Sequence, residues 1–307
     1  MPIQILPNEP RPSRRAVLAG LAAGGASLVF GAGSRAQLDH GTNWYALVSD
    51  THVAANLSTR TRGEVMADNL RAVVAEILAA ESRPLGVVID GDLALTDGQA
   101  GDYRTLVTLL EPIRKARVPI HLALGNHDDR DRFRAVLGEM LPADFKVSDK
   151  QVAVVDGPGV RLVILDSLDR VNVTPGRLGP TQLEWLAGTL DAGLKTMTPT
   201  MVFVHHNLAP GKSALTDTDA LLAVLRPRAR VKAVFFGHTH VWNVGSDSEA
   251  ERLHLVNLPA VAYTFGPGQP LGWCRFQPGT DSGTLELRCV GGDRASDRQR
   301  VGLRWRV

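Results

Sequence analysis

Five short apolar runs in this chain break off at an aspartate, an asparagine or a histidine, and longer amphipathic segments lie between most of them. No other feature of the sequence constrains the fold as much. WYALVSD (44–50), LGVVID (85–90), PIHLAL (119–124), MVFVHH (201–206) and VKAVFF (231–236) have the length of buried strands. Val65, Met66, Leu70, Val73, Val74, Ile77 and Leu78 recur at helical spacing, which predicts a helix over 63–82, stopped by Pro84. Further helices are predicted over 103–117, 130–138, 181–190 and 217–225. QVAVVD and VRLVILD (151–156 and 160–166), joined by GPG, predict a hairpin. Beyond residue 240 the chain reads as strands: VWNVG, RLHLVNL, LGWCRF, TLELRCV and LRWRV. Together these predict one α/β domain with sheets inside and helices outside.

The polar residues at the strand ends carry the chemistry. They are Asp50-Thr51-His52, Gly91-Asp92, Gly125-Asn126-His127-Asp128, His205-His206 and Gly237-His238-Thr239-His240, and they hold six of the nine histidines. Ligand sites in α/β sheets gather at the carboxyl ends of strands. Any one of these segments is commonplace, since a GD after a strand is more often a turn than a ligand. Five in succession reverse that weighting. Burying so many acids and imidazoles together without a cation would be costly. A donor set of oxygen and nitrogen without thiolate suits Zn, Mn or Fe.

The ordered pattern D-x-H, GD, GNHD, H and GHxH, running from Asp50 to His240, resembles the calcineurin-like metallophosphoesterase superfamily. The resemblance implies a four-layer αββα sandwich, mixed β-sheets flanked by helices, with a dinuclear metal centre at the strand ends. By the family pattern Asp50, His52 and His240 would hold one metal, Asn126, His205 and His238 the second, and Asp92 would bridge both. His127 would face the substrate, stabilising the phosphoryl group or protonating the leaving oxygen, a role that suits an imidazole because its ordinary pKa is about 6.5. Asp128 would orient His127, or serve as a plain structural cap. His206 would face the substrate or support the ligands. Arg130 is the nearest candidate cation for substrate, with a solvated ion pair as its blander role. Two divalent ions against two ligand carboxylates leave a positive centre that attracts phosphate. The implied reaction is hydrolysis of a small-molecule phosphoester by a metal-bridging hydroxide attacking phosphorus in line.

Departures within the superfamily narrow the reading. Purple acid phosphatases carry D-x-G and GDxxY, where this chain has His52 and Leu95. GNHDDRDRF, LDS (165–167) and QLEWLAGTL (182–190) resemble the branch of class III cyclic-nucleotide phosphodiesterases and glycerophosphodiesterases. Those relatives often read HHPP, where this chain reads His205-His206-Asn207-Leu208. The segments 167–180 and 207–216 are candidate specificity loops. The favoured reading is a phosphodiesterase of broad specificity. The alternatives are a phosphomonoesterase or nucleotidase of the same family and a non-catalytic metal-binding scaffold. Against the scaffold stands the presence of all seven ligand positions.

Charge separates the N-terminus from the rest. Lys and Arg number 34 against 32 Asp and Glu, a net +2. Residues 1–36 contribute +3 of it, from Arg11, Arg14, Arg15 and Arg35 against Glu9, so the remainder is net −1. A body without a basic or aromatic stripe argues against nucleic acid as a partner. Arg14-Arg15 precede an apolar run over 16–30, and Ser34-Arg35-Ala36 end a small-residue stretch. This is secretory-signal layout and resembles a twin-arginine (Tat) signal. The expectation is an export signal over 1–36, read by the Tat machinery, and a phosphoesterase domain over 37–307 in the periplasm or secreted. The alternative is an uncleaved membrane anchor. A stable span is not expected, because spanning takes roughly 20 strongly apolar residues and this run includes Gly20, Gly24 and Gly25. Cys274 and Cys289 either pair as a cross-strand disulfide or stay buried and free. Two cysteines cannot form a four-cysteine zinc site.

Overall fold

The computed structural model describes residues 43–138, 147–192 and 198–307, so the export signal expected over 1–36 lies outside the described residues. The chain opens with β1 (Tyr45–Val48), a small hairpin of β2 (Arg60–Thr61) and β3 (Glu64–Val65), α1 (Met66–Leu78), β4 (Gly86–Asp90), α2 (Ala100–Lys115), β5 (Ile120–Ala123) and α3 (Arg130–Leu137). It continues with the β6 (Ala153–Gly157) and β7 (Val160–Ile164) hairpin, α4 (Pro180–Ala192), β8 (Thr200–Phe203), α5 (Thr218–Leu225) and β9 (Val231–Phe236). Five strands close it: β10 (Asn243–Ser246), β11 (His254–Asn257), β12 (Pro270–Pro278), β13 (Ser282–Gly292) and β14 (Arg300–Arg304).

Two six-stranded mixed sheets result, ordered β14-β13-β12-β1-β4-β5 and β10-β11-β9-β8-β7-β6. β1, β4 and β5 run parallel, and so do β7, β8, β9 and β11, with antiparallel strands at the flanks. Strand parity assigns the layers. Tyr45 and Leu47 of β1 face the second sheet, where Phe203 and Phe235 stack with ring centres 4.9 Å apart. Ala46 and Val48 face the other way, onto Leu70, Val73 and Ile77 of α1 and Leu106 of α2. On the far side Val202 and Val234 meet Leu186 and Leu190 of α4 and Leu221 of α5. The molecule is thus helices, sheet, sheet, helices. Strands covered on both faces read as unbroken apolar runs rather than alternating ones, which is the pattern of YALV and VKAVFF.

Two expectations need correction. The first helix begins at Met66 rather than residue 63, because 60–65 form the β2–β3 hairpin, turned at Arg62 and Gly63 with φ of 52° and 90°. Of the two readings for the cysteines, the structure takes the second. Cys274 lies opposite Leu287 and Cys289 opposite Gly272, so the register offsets the thiols, and both are buried and free. Among the described residues no helix is long and apolar enough to cross a membrane.

Candidate metal centre

β1, β4, β5, β8 and β9 all end at the same edge of the two sheets, and the loops that follow them meet there. The backbone works hard to make them meet. Asp50, His52, Asp92, His238 and His240 all have φ between 41° and 68°, the left-handed region that non-glycine residues seldom occupy. Such conformations persist only where neighbours over-determine them. Here the β1 and β4 loops are laced by Asp50 N to Gly91 O (3.2 Å) and His52 N to Asp92 O (2.9 Å). The β9 loop is tied to the first by His238 N donating to the Asp50 carboxylate at 3.1 and 3.2 Å. Gly125 is required for the close approach, since a Cβ there would lie 2.2 Å from Asp92 Oδ1.

Three of the expected ligand imidazoles share one arrangement. His52 Nδ1 lies 3.2 Å from Leu95 O, His205 Nδ1 2.7 Å from Asp90 O, and His240 Nδ1 2.5 Å from Tyr263 O. A carbonyl only accepts, so each Nδ1 carries a proton and each Nε2 is left to face the site. Those Nε2 atoms converge on two buried carboxylates. His205 Nε2 is 3.1 Å from Asp92 Oδ2, His240 Nε2 is 3.3 Å from Asp50 Oδ1, and His52 Nε2 is 3.7 Å from Asp92 Oδ2. The Nε2 atoms of His52 and His240 face one another at 3.2 Å. Acceptors turned on acceptors out of reach of water call for a positive charge among them. His238 Nδ1 and Asn126 Oδ1 are also buried without a hydrogen-bond partner.

Electrostatics carries the same message. Burial pushes the His52 and His238 imidazoles down to about 4. Burial opposes charge on His205 too, yet the Asp92 and Asp50 carboxylates outweigh it and raise that ring to about 10. Burial works against the Asp92 charge as well, but His205 and His52 hold the carboxyl well below the usual range. The two carboxylates thus draw positive charge to the position that His205 Nε2 faces. Potential ligand atoms fall into overlapping groups within 4.8 Å: Asp50, His52 and His240; His52, Asp92 and His127; Asp92, His205 and His238. Asp92 belongs to two of them. The residues therefore fit a metal centre, and their oxygen and nitrogen donors suit a hard-to-borderline cation.

The structure brings all seven expected ligand residues to this edge. It treats the other four differently. His127 is half-buried on the wall of the cavity, its amide donates to Asp92 Oδ1 (2.9 Å), and its Nδ1 lies 2.6 Å from Thr96 O. Thr96, not Asp128, orients that ring. Asp128 is fully buried and accepts from the amides of Gly125 (2.9 Å), Leu93 and Ala94 (both 3.1 Å) and from the Tyr103 hydroxyl (3.2 Å). It fastens the β4 and β5 loops together, the structural reading of the two. Arg130 is not free for substrate: its guanidinium pairs with buried Asp166 at 2.7 and 2.9 Å and also donates to Leu168 O. His206 is fully buried, with Nδ1 2.7 Å from Ser167 Oγ and Gly176 packed on its ring, and it does not reach the cavity wall.

The cavity over the centre has a volume of about 410 Å³. Thr174, Ser213, Thr239 and Phe265 complete its rim, so both candidate specificity loops reach it. A second groove of about 480 Å³, lined by Asp169, Arg170, Arg177 and Asp217, contains none of the site residues. Sequence reasoning missed Asp90, Tyr263 and Phe265. Asp90 was visible as a carboxylate closing an apolar run. Both of its carboxylate oxygens are buried without a partner, and burial, against the pull of His205, pushes it up to about 8. Tyr263 and Phe265 form a pair of rings over His240 in a chain only 5% aromatic.

Comparison with known proteins bears on this site. A family profile described as calcineurin-like phosphoesterase matches residues 44–242. A cAMP/cGMP dual specificity phosphodiesterase of Mycobacterium tuberculosis is 32% identical over 204 residues, 63% of this chain and 60% of that protein, so the match spans less than two thirds of that relative. A glycerophosphodiester phosphodiesterase of Enterobacter lignolyticus is 30% identical over 227 residues, 71% of this chain and 77% of that protein. Among solved structures, a dimetal phosphatase from Danio rerio superposes with a TM-score of 0.64 at 17% identity, covering 86% of this chain and 99% of that one, a likeness of fold.

Proposed function

The chain belongs to the calcineurin-like phosphoesterase family, and on that premise we propose that it hydrolyses small-molecule phosphoesters, phosphodiesters foremost, at a centre of two metal ions. The observation that carries this reading is the convergence of carbonyl-anchored imidazoles on Asp50 and Asp92. In the proposed assignment Asp50, His52 and His240 hold one ion, Asn126, His205 and His238 the other, and Asp92 both. The ions would supply Lewis acidity, which binds the phosphoryl oxygens and lowers the pKa of a water that attacks phosphorus.

The chain's own residues do the rest. The amide of His127 holds Asp92 Oδ1, and Asp128 fixes the loops that carry Asp92 and Asn126. Thr96 O fixes the proton on His127 Nδ1. The other nitrogen, Nε2, is then the atom that takes up a proton and returns it to the leaving oxygen. Thr174, Ser213, Thr239 and Phe265 offer no cation to the phosphoryl group. A diester monoanion therefore suits the cavity better than a monoester dianion, and the phosphodiesterase names of the two bacterial relatives support the same preference.

The test is metal-stripped protein reloaded separately with Mn, Zn and Fe, with metal counted by elemental analysis. Each form is assayed on bis(p-nitrophenyl) phosphate and p-nitrophenyl phosphate. Two ions per chain and a kcat/KM at least about tenfold higher for the diester are expected, about 1.4 kcal/mol in transition-state terms. Faster monoester hydrolysis would favour the phosphomonoesterase alternative, and inactivity with every metal would favour the scaffold.

The proposal extends to location. Arg14-Arg15 and the apolar run after them support a Tat export signal over 1–36 ahead of a phosphoesterase domain over 37–307. The domain would then meet phosphoesters in the periplasm or outside the cell. Changing Arg14-Arg15 to Lys-Lys is expected to leave the protein in the cytoplasmic fraction. Unimpaired export of that variant rejects the Tat reading, and a membrane-bound wild type favours an uncleaved anchor.

A further inference from the structure

A cation stands just outside the cavity, over the Phe265 ring that lines it, where the proposed hydrolysis does not use one. Arg62 is the first residue of the two-residue turn joining β2 and β3, with Thr61 opposite Glu64. Both turn residues have positive φ, 52° at Arg62 and 90° at Gly63. That geometry favours Asn, Asp or Gly in the first position, and arginine is a costly choice there. Arg60 Nη1 ties the turn down through Gly63 O at 2.8 Å.

The turn lays the guanidinium over an aromatic pair beside the site. Arg62 Cζ lies 4.9 Å from the Phe265 ring centre and 5.9 Å from that of Tyr263. Phe265 in turn lies 4.4 Å from the His240 ring, and Tyr263 lies 4.9 Å from His240 and 5.0 Å from His52. Phe265 is 54% exposed and lines the cavity, so the aromatic pair forms a step from the ligand histidines up to Arg62. Among the described residues no carboxylate pairs with Arg62, in contrast to Arg130, which Asp166 occupies. A guanidinium resting on aromatic faces is partly ordered before any ligand arrives, which lowers the cost of binding. It stands one ring beyond the ligands, at the reach of an ester substituent rather than of the phosphoryl group. Its planar fork matches carboxylate or phosphate oxygens.

We propose that Arg62 is a specificity-determining residue, selecting phosphodiesters whose retained substituent carries its own negative charge. The proposal rests on the phosphodiesterase reading above. It gives the rim a task separate from the centre: the metals take the scissile phosphate, and the Arg62–Phe265 step takes a second anionic group of the same molecule.

Three p-nitrophenyl phosphodiesters test it, with ethyl, 2-carboxyethyl or choline as the second ester group. Metal-loaded wild-type protein is expected to rank them carboxyethyl, ethyl, choline in kcat/KM. Arg62→Asn accepts the left-handed turn, so the hairpin is kept while the charge goes. The carboxyethyl-to-ethyl ratio is expected to fall about five- to tenfold in that variant, mainly through KM, the scale of a partly exposed charge-assisted contact. Arg62→Lys is expected to keep a ratio closer to wild type. A ratio within twofold of wild type in Arg62→Asn, or a wild type without the ranking, overturns the proposal while leaving the phosphodiesterase reading intact. Hydrolysis of none of the three esters by wild type removes that reading and this one with it.

Discussion

Asp92→Asn is expected to strip the protein of metal and of nearly all turnover while leaving a folded chain. Asn keeps the shape of Asp92 and one oxygen, and so can still accept the His127 amide that now bonds Oδ1 at 2.9 Å. What disappears is the charge that faces His205 Nε2 at 3.1 Å and His52 Nε2 at 3.7 Å, on the two sides of the centre. In the proposed assignment no other side chain faces both ions, so its loss weakens both. A drop in turnover of at least about 10²–10³ is expected, the scale of losing one preorganised electrostatic contact at a reacting group. Elemental analysis should find fewer than two ions per chain. Melting separates this from misfolding. Without metal the variant should still melt in one cooperative transition, somewhat below wild type, because His205 and His52, against the effect of burial, hold the Asp92 carboxyl well below the usual range and that stabilisation is lost. With metal, wild type should gain stability, about 2.7 kcal/mol at a hundredfold excess over Kd, and the variant much less. Two ions per chain together with more than a tenth of wild-type turnover would remove Asp92 from its shared position.

The site was legible because its residues lie in short loops directly after strands. Once β1, β4, β5, β8 and β9 are parallel neighbours or face one another across the sandwich, Asp50, Asp92, Asn126, His205 and His238 must meet. Local pattern carries that much. It does not carry the partner of Arg130, because Asp166 is 36 residues away and arrives at the end of β7 in the other sheet. Asp128 looked like a neighbour of His127, but adjacent side chains on a turning backbone point apart, and its carboxylate goes to amides on the β4 loop. Asp90 shares the parity of Val88, which faces the second sheet. Its carboxyl therefore points between the sheets rather than to solvent, a fact that needs the strand face and not just the strand. The β2–β3 hairpin was invisible because two-residue strands have no periodicity to read. With it went Arg62, which meets Phe265 only through a contact spanning about two hundred residues of chain.

His127→Ala is the sharpest test of how chemistry divides between metal and protein. A ring nitrogen of His127 lies within 4.8 Å of ligand atoms of His52 and Asp92, so the residue has the position of either a third ligand or a proton donor. Its Nδ1 is taken by Thr96 O at 2.6 Å, and the ring stays half-buried on the cavity wall rather than sealed behind it. Its carbonyl anchor matches those of His52, His205 and His240, but its exposure to the cavity does not, and proton transfer needs a group that substrate can touch. The proton-donor role therefore predicts that His127→Ala binds two ions per chain, as wild type does. It also predicts a dependence on the leaving group. An alkoxide must be protonated as it departs, so hydrolysis of a dialkyl phosphodiester should slow by about 10²–10⁴-fold, the usual worth of a positioned general acid. p-Nitrophenolate leaves without help, so bis(p-nitrophenyl) phosphate should slow far less. A plot of log kcat against leaving-group pKa should be steeper in the variant than in wild type. His127→Gln, which can donate a hydrogen bond but not a proton, should follow the alanine variant for alkyl esters and retain more activity for aryl ones. Loss of a metal ion in His127→Ala would make the residue a ligand. An equal loss for alkyl and aryl esters with both ions in place would leave it a phosphoryl-oxygen contact and nothing more.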